Sequence, residues 1–406
     1  MRLAARSAFG GRSDVTNPIG GPMQTAIAVS REVDPQRAAD DLAEQLTIKL
    51  AKPAAIMLFA APAYDHEVLL KRLSERTGAP IVGASSAGEF ANEAQGEGMA
   101  TALALGGDDI RVAVSCGRNI RADPARAARD LVAGFQGIRD MSPGYRSALV
   151  MTDALAGQAD RLVDELTLAT AGQYQFFGGG AGDNAQFQRT TVFCNGQALT
   201  DAAVALEMIS EKPIAVGVSH GWEPASEPYR VTEADGVKLI SLNGLPAAEV
   251  FQAHAAETGQ KLDPEAPIPF FLHNILGIDT AGGHKLRVPL AILEDGAVLC
   301  ASEPPQDSIV RIMRSTEQST VEAAQNATDA ALQALGGHKP QAALFFDCVA
   351  TRLRMGKAFA RELSAVRDRL SGVDLMGCNT HGQIARAEGQ FQGFHNCTAV
   401  VCLIPA

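Results

Sequence analysis

Three glycine-spaced turns hold most of the side chains that could contact a ligand. They read 83-GASSAGEF-90, 175-QFFGGGAGDN-184 and 377-GCNTHGQI-384, and each follows an apolar segment. Turns at strand ends expose backbone N–H groups, hydroxyls and amides, on which a small ligand can rest. The candidate ligand-binding residues are Ser85, Ser86, Gly88, Glu89, Gly179, Gly180, Asp183, Asn184, Asn379, Thr380 and Gln383. This mixture suits a zwitterionic amino acid, whereas the alternative role for the same side chains is to cap helices and turns.

The same turns do not support an assigned catalytic residue. Ser85 and Ser86 lie in Gly-Ala-Ser-Ser-Ala-Gly, which is not the nucleophile elbow Gly-x-Ser-x-Gly. The run 178–183 lacks both a Walker lysine and the Gly-x-Gly-x-x-Gly fingerprint. We therefore expect a binding protein rather than an enzyme, and a hydrolase or transferase that uses the glycine turns is the remaining alternative.

A repeated strand–helix–strand pattern positions the three turns. In each copy an apolar strand precedes an amphipathic helix, at 54–62 and 66–78, at 147–153 and 159–172, and at 343–350 and 357–372. A short strand, the glycine turn and a further strand then follow. This alternation predicts an α/β fold with α+β elements, in which repeated units form two related sheet domains. Their glycine turns are expected to face one another around a shared cleft.

The segment 214–340 follows a different pattern. Period-two stretches at 229–234 and 237–242 flank Asp-Gly and Asn-Gly turns, and a further hairpin is predicted to turn at Asp295–Gly296. Helices are predicted at 245–259 and 316–335. We interpret this segment as a central antiparallel insertion.

Composition excludes several classes of partner. A net charge of -11 and 5% aromatic residues disfavour nucleic acid, which needs basic and stacking surfaces. No apolar run approaches membrane-spanning length. The seven cysteines include no Cys-x-x-Cys pair, which indicates reduced thiols in a cytoplasmic protein and no structural zinc site. Residues 1–23 are Gly/Arg-rich without a secretory apolar run, so we expect a disordered segment, with a transit-type sequence as the lesser alternative.

Several motifs in order resemble the FIST family of bacterial sensory proteins, which carry paired FIST-N and FIST-C domains. Besides the glycine turns, they are 217-GVSHGWEP-224, 231-VTEADG-236 and 394-FHNCT-398, and the resemblance covers about 25–406. The chain departs from the family pattern at Gln383, where a glutamate is usual, and at His381, where an aromatic residue is frequent. Glu89 keeps the acid in the first copy.

The resemblance implies a FIST-N-like domain at 24–212 and a FIST-C-like domain at 213–406. It also implies a cytoplasmic sensor that binds a small ligand and regulates a histidine kinase or an enzyme of cyclic-di-GMP turnover. Amino acids are ligands suggested for the family. A homodimer is compatible with this expectation.

One branch of the family binds haem and responds to nitric oxide, and this chain is similar to it in organisation. The first expectation is therefore non-covalent haem b, since no Cys-x-x-Cys-His is present. We predict His395 as axial ligand because Phe391 and Phe394 flank it, followed by His381 and His220, with Arg287 and Arg352 at the propionates. His66, His254 and His338 are expected in solvent.

Two alternatives to haem stay open. The first is an amino acid or another small organic ligand in a cleft between the two domains. The second is a redox-sensing thiol at Cys397 or Cys378, for which packing inside a sheet is the competing interpretation.

Overall fold

Three units with one strand–helix order build most of the molecule. The computed structural model describes residues 22–140, 143–386 and 393–406. The first unit consists of β1 (Gln24–Ser30), α1 (Pro35–Lys49), β2 (Ala55–Ala60), α2 (His66–Thr77), β3 (Ile81–Ser85), β4 (Glu89–Ala91), β5 (Ala94–Gly96) and β6 (Ala100–Gly106). Its helices begin at aspartates whose side chains accept a backbone N–H of the first turn, Asp34 for α1 and Asp65 for α2.

The second unit repeats this order. It consists of β7 (Ile110–Arg118), α3 (Pro124–Ala133), β8 (Tyr145–Thr152), α4 (Ala159–Ala169), β9 (Gln175–Gly180), β10 (Val192–Cys194), β11 (Gln197–Leu199) and β12 (Ala202–Ser210). Asp123 caps α3 in the same way, and a proline follows it directly.

The third unit is interrupted after its first strand, β13 (Ala215–Ser219), by the predicted insertion. The insertion contains β14 (Glu223–Pro224), β15 (Tyr229–Asp235), β16 (Lys238–Leu242), β17 (Leu245–Pro246), α5 (Ala247–Thr258), α6 (Ile268–Phe271), β18 (Ile275–Thr280), β19 (Gly283–Arg287), β20 (Pro289–Ile292), β21 (Val298–Cys300) and β22 (Ile309–Arg314). The unit resumes with α7 (Glu317–Ala334), β23 (Pro340–Cys348), α8 (Val349–Met355), α9 (Phe359–Leu370), β24 (Asp374–Thr380), β25 (Gln383–Arg386), β26 (Gly393–His395) and β27 (Ala399–Pro405).

Each unit contributes four strands to its own sheet and two strands to a neighbour. The strand orders are β1-β6-β2-β3, β7-β12-β8-β9 and β13-β27-β23-β24, with the last two strands of each order parallel. The hairpin after each glycine turn completes the next sheet. The hairpin β4–β5 pairs with β24, β10–β11 pairs with β3, and β25–β26 pairs with β9. The result is three six-stranded sheets that exchange hairpins in a closed cycle.

The inner faces of the three sheets pack against one another in one apolar core. Phe346 lies 5.5 Å from Phe59 and 6.5 Å from Phe177, measured between ring centroids, so each sheet supplies one ring at the centre. Helices cover the outer faces: α1 and α2 on the first sheet, α3 and α4 on the second, α7 and α9 on the third. Fully burying one such phenylalanine contributes about 1.5–3 kcal/mol.

The α/β class and the repeated strand–helix–strand units are confirmed, and the antiparallel insertion folds as a nine-stranded sheet with α5 and α6. Its predicted bounds of 214–340 were too wide, because β13 pairs with β27 and α7 packs on the third sheet. In the structure, the first two units each begin with a strand and a helix that the sequence patterns did not reveal. The third repeat has a sheet of its own, so the fold contains three related sheets where two related sheet domains were predicted. The segment predicted as disordered lies outside the described residues, except for Pro22 and the buried Met23. In the described part of the chain, no helix has the length and apolarity needed to cross a membrane.

Candidate functional site

The three glycine turns meet in a closed ring of backbone hydrogen bonds. Two bonds join each pair of units, with N···O distances of 2.8–3.0 Å. The bonds run from Asn379 N to Gly88 O, Ala87 N to Asn379 O, Ser85 N to Thr191 O, Gly182 N to Ser85 O, Gly180 N to Gly382 O, and His381 N to Gly180 O. Ser85, Gly180 and Asn379 are therefore equivalent positions in the three units. This ring explains why the glycine turn recurs, because each copy supplies hydrogen-bond partners for the backbone groups of its neighbour.

Small residues in the ring are required by close approach. A Cβ atom added at Gly182 would lie 2.7 Å from the backbone nitrogen of Ala87. One added at Gly179 would lie 2.6 Å from the carbonyl oxygen of Gly382, and one at Gly180 would lie 2.8 Å from that of His381. Gly179 and Gly180 thus act in packing the second unit on the third.

Several predicted ligand-binding side chains are buried and bonded inside the protein. Ser85 Oγ accepts the N–H of Thr191 at 3.0 Å, and Gln383 Nε2 donates to Thr380 Oγ1 at 2.9 Å. Gln383 Oε1 also accepts the N–H of Thr398 at 3.2 Å. For Ser85, Thr380 and Gln383 the structure therefore favours the turn-stabilising alternative over ligand contact.

The predicted residues of the second turn also serve its own loop. Asp183 accepts the backbone N–H groups of Phe187, Gln188 and Arg189 at 2.7–3.0 Å, which fixes the loop after it. Asn184 begins that loop in a left-handed conformation with φ 55°. Within the described part of the chain, neither side chain forms a hydrogen bond to the turn of the first unit, and Asp183 Oδ1 lies 3.4 Å from His381 Nε2 of the third unit.

A cavity of about 230 Å³ at the junction of the first and third units brings four other predicted residues together. Glu89 and Asn379 line it with Arg352, and Gly88 lies against the last two, since a Cβ added there would be 3.0 Å from Asn379 Oδ1 and 3.2 Å from Arg352 Nη1. Sequence reasoning missed Lys357, which also lines the cavity. We call this space the junction cavity.

Asn379 is the exceptional side chain of the junction cavity. It is 1% exposed, yet neither Oδ1 nor Nδ2 has a hydrogen-bond partner among the described residues. A buried amide left in this way costs about 1–3 kcal/mol, so such groups usually serve a ligand or an ordered water. Arg352 beside it forms an ion pair with Glu97 at 2.5 Å, while its Nε also lacks a partner in the described chain.

Glu89 places a proton-binding group in the junction cavity. Ser86 Oγ lies 2.5 Å from its Oε1, and the N–H of Met99 donates to Oε2 at 3.0 Å. Burial raises the pKa of Glu89 to about 7, against the lowering effects of the Ser86 and Met99 hydrogen bonds and of Arg352. The carboxyl group therefore titrates near neutral pH.

The described residues around His395 do not fit a haem. His395 is 2% exposed and pairs with Gln383 across the hairpin β25–β26. The neighbouring cavity, lined by His381 and Phe394, holds about 30 Å³, whereas pockets for drug-sized ligands measure about 300–1,000 Å³. Burial, followed by Lys285, Arg287 and His220, holds the pKa of His395 well below its usual value. Phe391 lies outside the described residues.

Two of the other predicted haem contacts, Arg287 and His220, form hydrogen bonds within the protein. Arg287, 2% exposed, bonds Asp160 at 2.9 Å and the carbonyl of Glu303 at 2.9 Å, so it holds the insertion on the second unit. His220 Nε2 lies 3.1 Å from the carbonyl oxygen of His284. No group of three or more His, Cys, Asp or Glu side chains suited to a metal occurs in residues 22–140, 143–386 and 393–406.

Two of the remaining histidines correct the sequence-based expectation. His66 is half-buried, because it packs 4.8 Å from Phe193 and bonds the carbonyl of Ala61 and the hydroxyl of Thr191. His254 is 3% exposed inside the insertion. Both were expected in solvent, because local sequence patterns do not show the hairpin β10–β11 that covers His66. Cys378 and Cys397 are both buried, Cys378 within β24 as the packing interpretation predicts and Cys397 in the turn between β26 and β27.

Comparison with known proteins identifies two family domains in order along the chain, and their boundary lies inside the insertion, between β17 and α5. The FIST N domain matches residues 54–245 and the FIST C domain matches residues 247–386. The uncharacterized protein Rv0628c of Mycobacterium tuberculosis is 25% identical over 219 residues, which cover 53% of this chain and 56% of that protein. Mb0898c of Mycobacterium bovis, also uncharacterized, is 23% identical over 232 residues with the same coverage. The chain thus spans about half the length of the curated relatives it matches.

Solved structures add only remote likenesses. Cyanuric acid hydrolase from A. caulinodans aligns with 94% of this chain and 99% of its own, at 8% identity and a TM-score of 0.36. T. maritima PurL complexed with AMPPCP reaches a TM-score of 0.24 at 13% identity. Scores this low bear on neither the fold nor the activity of this chain. Because both family domains match in order along the chain, this protein belongs to the FIST family of sensory domains.

Proposed function

We propose that this protein senses a small zwitterionic organic molecule, of amino-acid size, that binds in the junction cavity. The observation that carries the proposal is Asn379, a buried amide that faces the cavity with both polar atoms unpartnered in the described chain. A volume of about 230 Å³ suits such a ligand and is too small for haem.

The charges around the junction cavity match a zwitterion. Arg352 and Lys357 provide cations for a carboxylate, and a guanidinium can bind a carboxylate with two parallel hydrogen bonds. Glu89 in its ionised form accepts an ammonium group. The amide of Asn379 offers a donor and an acceptor between these charges, which fixes the orientation of the ligand.

Helix α8 connects this site to a second surface. Arg352 lines the junction cavity, while Val349, Ala350 and Leu353 of the same helix line an apolar cavity of about 340 Å³. A ligand that binds Arg352 therefore contacts the same helix that lines this apolar cavity. A ligand shifts an equilibrium only by its differential affinity for the two states, so displacement of α8 is the expected signal.

The signalling role extends this proposal to a partner. In line with the family resemblance, we propose that the protein acts in the cytoplasm on a histidine kinase or an enzyme of cyclic-di-GMP turnover. Haem and nitric oxide do not form part of the proposal, because His395 is 2% exposed and the cavity lined by His381 and Phe394 holds only about 30 Å³.

The test is a thermal-shift screen of the common amino acids and their decarboxylated and deaminated analogues, followed by calorimetric titration of any hit. Arg352→Gln is expected to weaken binding by roughly 10- to 100-fold, the loss of a charged hydrogen bond. Arg361→Gln is the matched control, since Arg361 is 57% exposed and, among the described residues, pairs with Glu317 alone. A zwitterion that binds equally well to wild type and Arg352→Gln would contradict the site.

A further inference from the structure

A second cavity lies at the equivalent junction, between the first and second units. It measures about 550 Å³ and is bounded by the start of α2, the loop after Asp183 and the strand β11. Here the hairpin β10–β11 pairs with β3, in the same way that the hairpin β4–β5 pairs with β24 beside the junction cavity. Equivalent positions in the fold therefore carry a cavity twice. We call this one the second-junction cavity.

An inserted loop builds one wall of the second-junction cavity. In the first unit, Gly88 directly follows Ala87 in the ring of hydrogen bonds, but the equivalent positions in the second unit, Gly182 and Thr191, are separated by the loop 183–190. This loop lines the cavity with Gln186, Gln188 and Arg189. The three backbone bonds to the buried carboxylate of Asp183 keep this wall in place.

The floor of the second-junction cavity is preorganised. His66 lies between the carbonyl of Ala61 and the hydroxyl of Thr191, both at 3.0 Å. Since a carbonyl oxygen only accepts, Nε2 carries the proton and Nδ1 accepts from Thr191. Burial lowers the pKa of His66, with Arg189 adding to this effect, so the ring stays neutral at physiological pH. Tyr64 is fixed by a hydrogen bond from its hydroxyl to Glu32 O at 2.7 Å.

The charges that line the second-junction cavity differ from those of the junction cavity. Asp65, Glu67 and Asp183 face one cation, Arg189, whereas Arg352 and Lys357 stand with Glu89 in the junction cavity. Asp65 uses one oxygen to cap α2, and the Glu67 side chain forms no hydrogen bond or ion pair within residues 22–140, 143–386 and 393–406. The excess of carboxylates beside amides and hydroxyls favours a protonated amine over an anion.

We propose that the second-junction cavity is a distinct binding site for a small polar molecule that carries a protonated amine. The inference does not rest on the ligand of the junction cavity, and a failure of either site leaves the other untouched. Asp65 and Glu67 bind the ammonium group, and the amides of Gln186 and Gln188 bind polar groups on the rest of the molecule.

The experiment uses three probes of equal length on the full chain: putrescine, 1,4-butanediol and succinate, titrated calorimetrically at low ionic strength. Saturable binding of putrescine alone is expected, at millimolar dissociation constants or tighter. The double substitution Asp65→Asn/Glu67→Gln is expected to weaken it at least 10-fold. Asparagine retains the helix cap, so the fold is preserved. The same loss is expected from Ala198→Phe, which fills the cavity from β11.

Two controls make the result decisive. Glu75→Gln removes one charge from an exposed position of α2 outside the cavity, and it must leave putrescine binding unchanged. Asn379→Leu in the junction cavity must also leave it unchanged. The inference is overturned if putrescine does not bind saturably, if the double variant binds it as wild type does, or if Glu75→Gln weakens it equally, which would indicate general surface charge.

Discussion

Ser85 and Asn379 occupy equivalent places in two different units and use their backbones in the same way. Ser85 donates its N–H to Thr191 O at 2.8 Å and accepts that of Gly182 at 2.8 Å. Asn379 donates to Gly88 O at 2.8 Å and accepts from Ala87 at 2.9 Å. Their side chains diverge: Ser85 Oγ is bonded to Thr191 N, whereas the Asn379 amide faces a cavity. The same backbone arrangement thus holds one side chain bonded within the protein, at Ser85, and one available to a ligand, at Asn379.

Gly182→Ala tests the ring of backbone bonds. Its methyl group would lie within 3 Å of Ala87 and Ser86, mostly against backbone, so we expect a loss of about 2–3 kcal/mol in the free energy of unfolding. Denaturant unfolding monitored by circular dichroism measures this. Gly282→Ala, where no atom lies within 4 Å, is the control and should change stability by less than about 0.5 kcal/mol. Equal effects at both positions would argue against the tight junction.

Glu89→Gln tests the proton-binding carboxyl. A pKa raised to about 7 in the folded protein means that the native state binds more protons than the unfolded state above the unfolded value of 4.5. Stability is therefore full below that value and falls as the pH rises toward 7, by roughly 3 kcal/mol in total.

The Glu89→Gln variant should not show this loss of stability with rising pH, because glutamine does not titrate. Asp347 and Glu362, whose pKa values burial also raises, contribute a slope of the same sign in both proteins, so only the difference between wild type and variant is informative. Unfolding free energies measured from pH 5 to pH 8 should show the wild type losing stability relative to Glu89→Gln. A constant difference across this range would show that Glu89 is ionised throughout.

Asn379→Leu separates ligand binding from stability. Because the amide has no partner in the described chain, its replacement by an apolar group of similar shape should leave the unliganded protein equally stable or about 1 kcal/mol more stable. Asn274→Leu is the matched control, since that buried amide donates to Gln260 and to Phe270 O, and its loss should cost about 1–3 kcal/mol. Destabilisation of similar size at both sites would mean that Asn379 has a structural partner.

Arg287→Met tests the anchor between the insertion and the second unit. Removing a buried cation leaves Asp160 with Lys285 alone, so we expect a loss of about 3 kcal/mol or more. A double-mutant cycle with Asp160→Asn should recover part of it. Arg230→Met, at an exposed pair with Asp307, should cost less than about 1 kcal/mol.

Haem titration tests the cofactor assignment directly. Since His395 is 2% exposed and the cavity lined by His381 and Phe394 holds only about 30 Å³, the purified protein should show no stoichiometric Soret band after haem addition. His395→Ala should not alter that result. A stoichiometric band lost in His395→Ala would overturn this expectation and restore the haem hypothesis.

Local patterns revealed the elements but not their exchange between units. Alternating apolar residues and Asp-Gly turns located β15 and β16, and helical spacing located α2 and α9. The pairing of Glu89 with Cys378 across β4 and β24 could not be predicted, because short hairpins carry no signal for the sheet they join. For the same reason, Glu89, Asn379 and Arg352 were named from separate motifs, while Lys357 and the burial of His66 were missed.

The hairpin exchange also determines when each sheet can be completed during folding. Strand β9 is complete only when β25 arrives from the third unit, and β24 waits for its own pairing with β4 of the first. During synthesis the second sheet therefore carries an open edge until residues 383–386 have left the ribosome. Open edges promote association with other chains, so we expect the first and second units, expressed without the third, to aggregate.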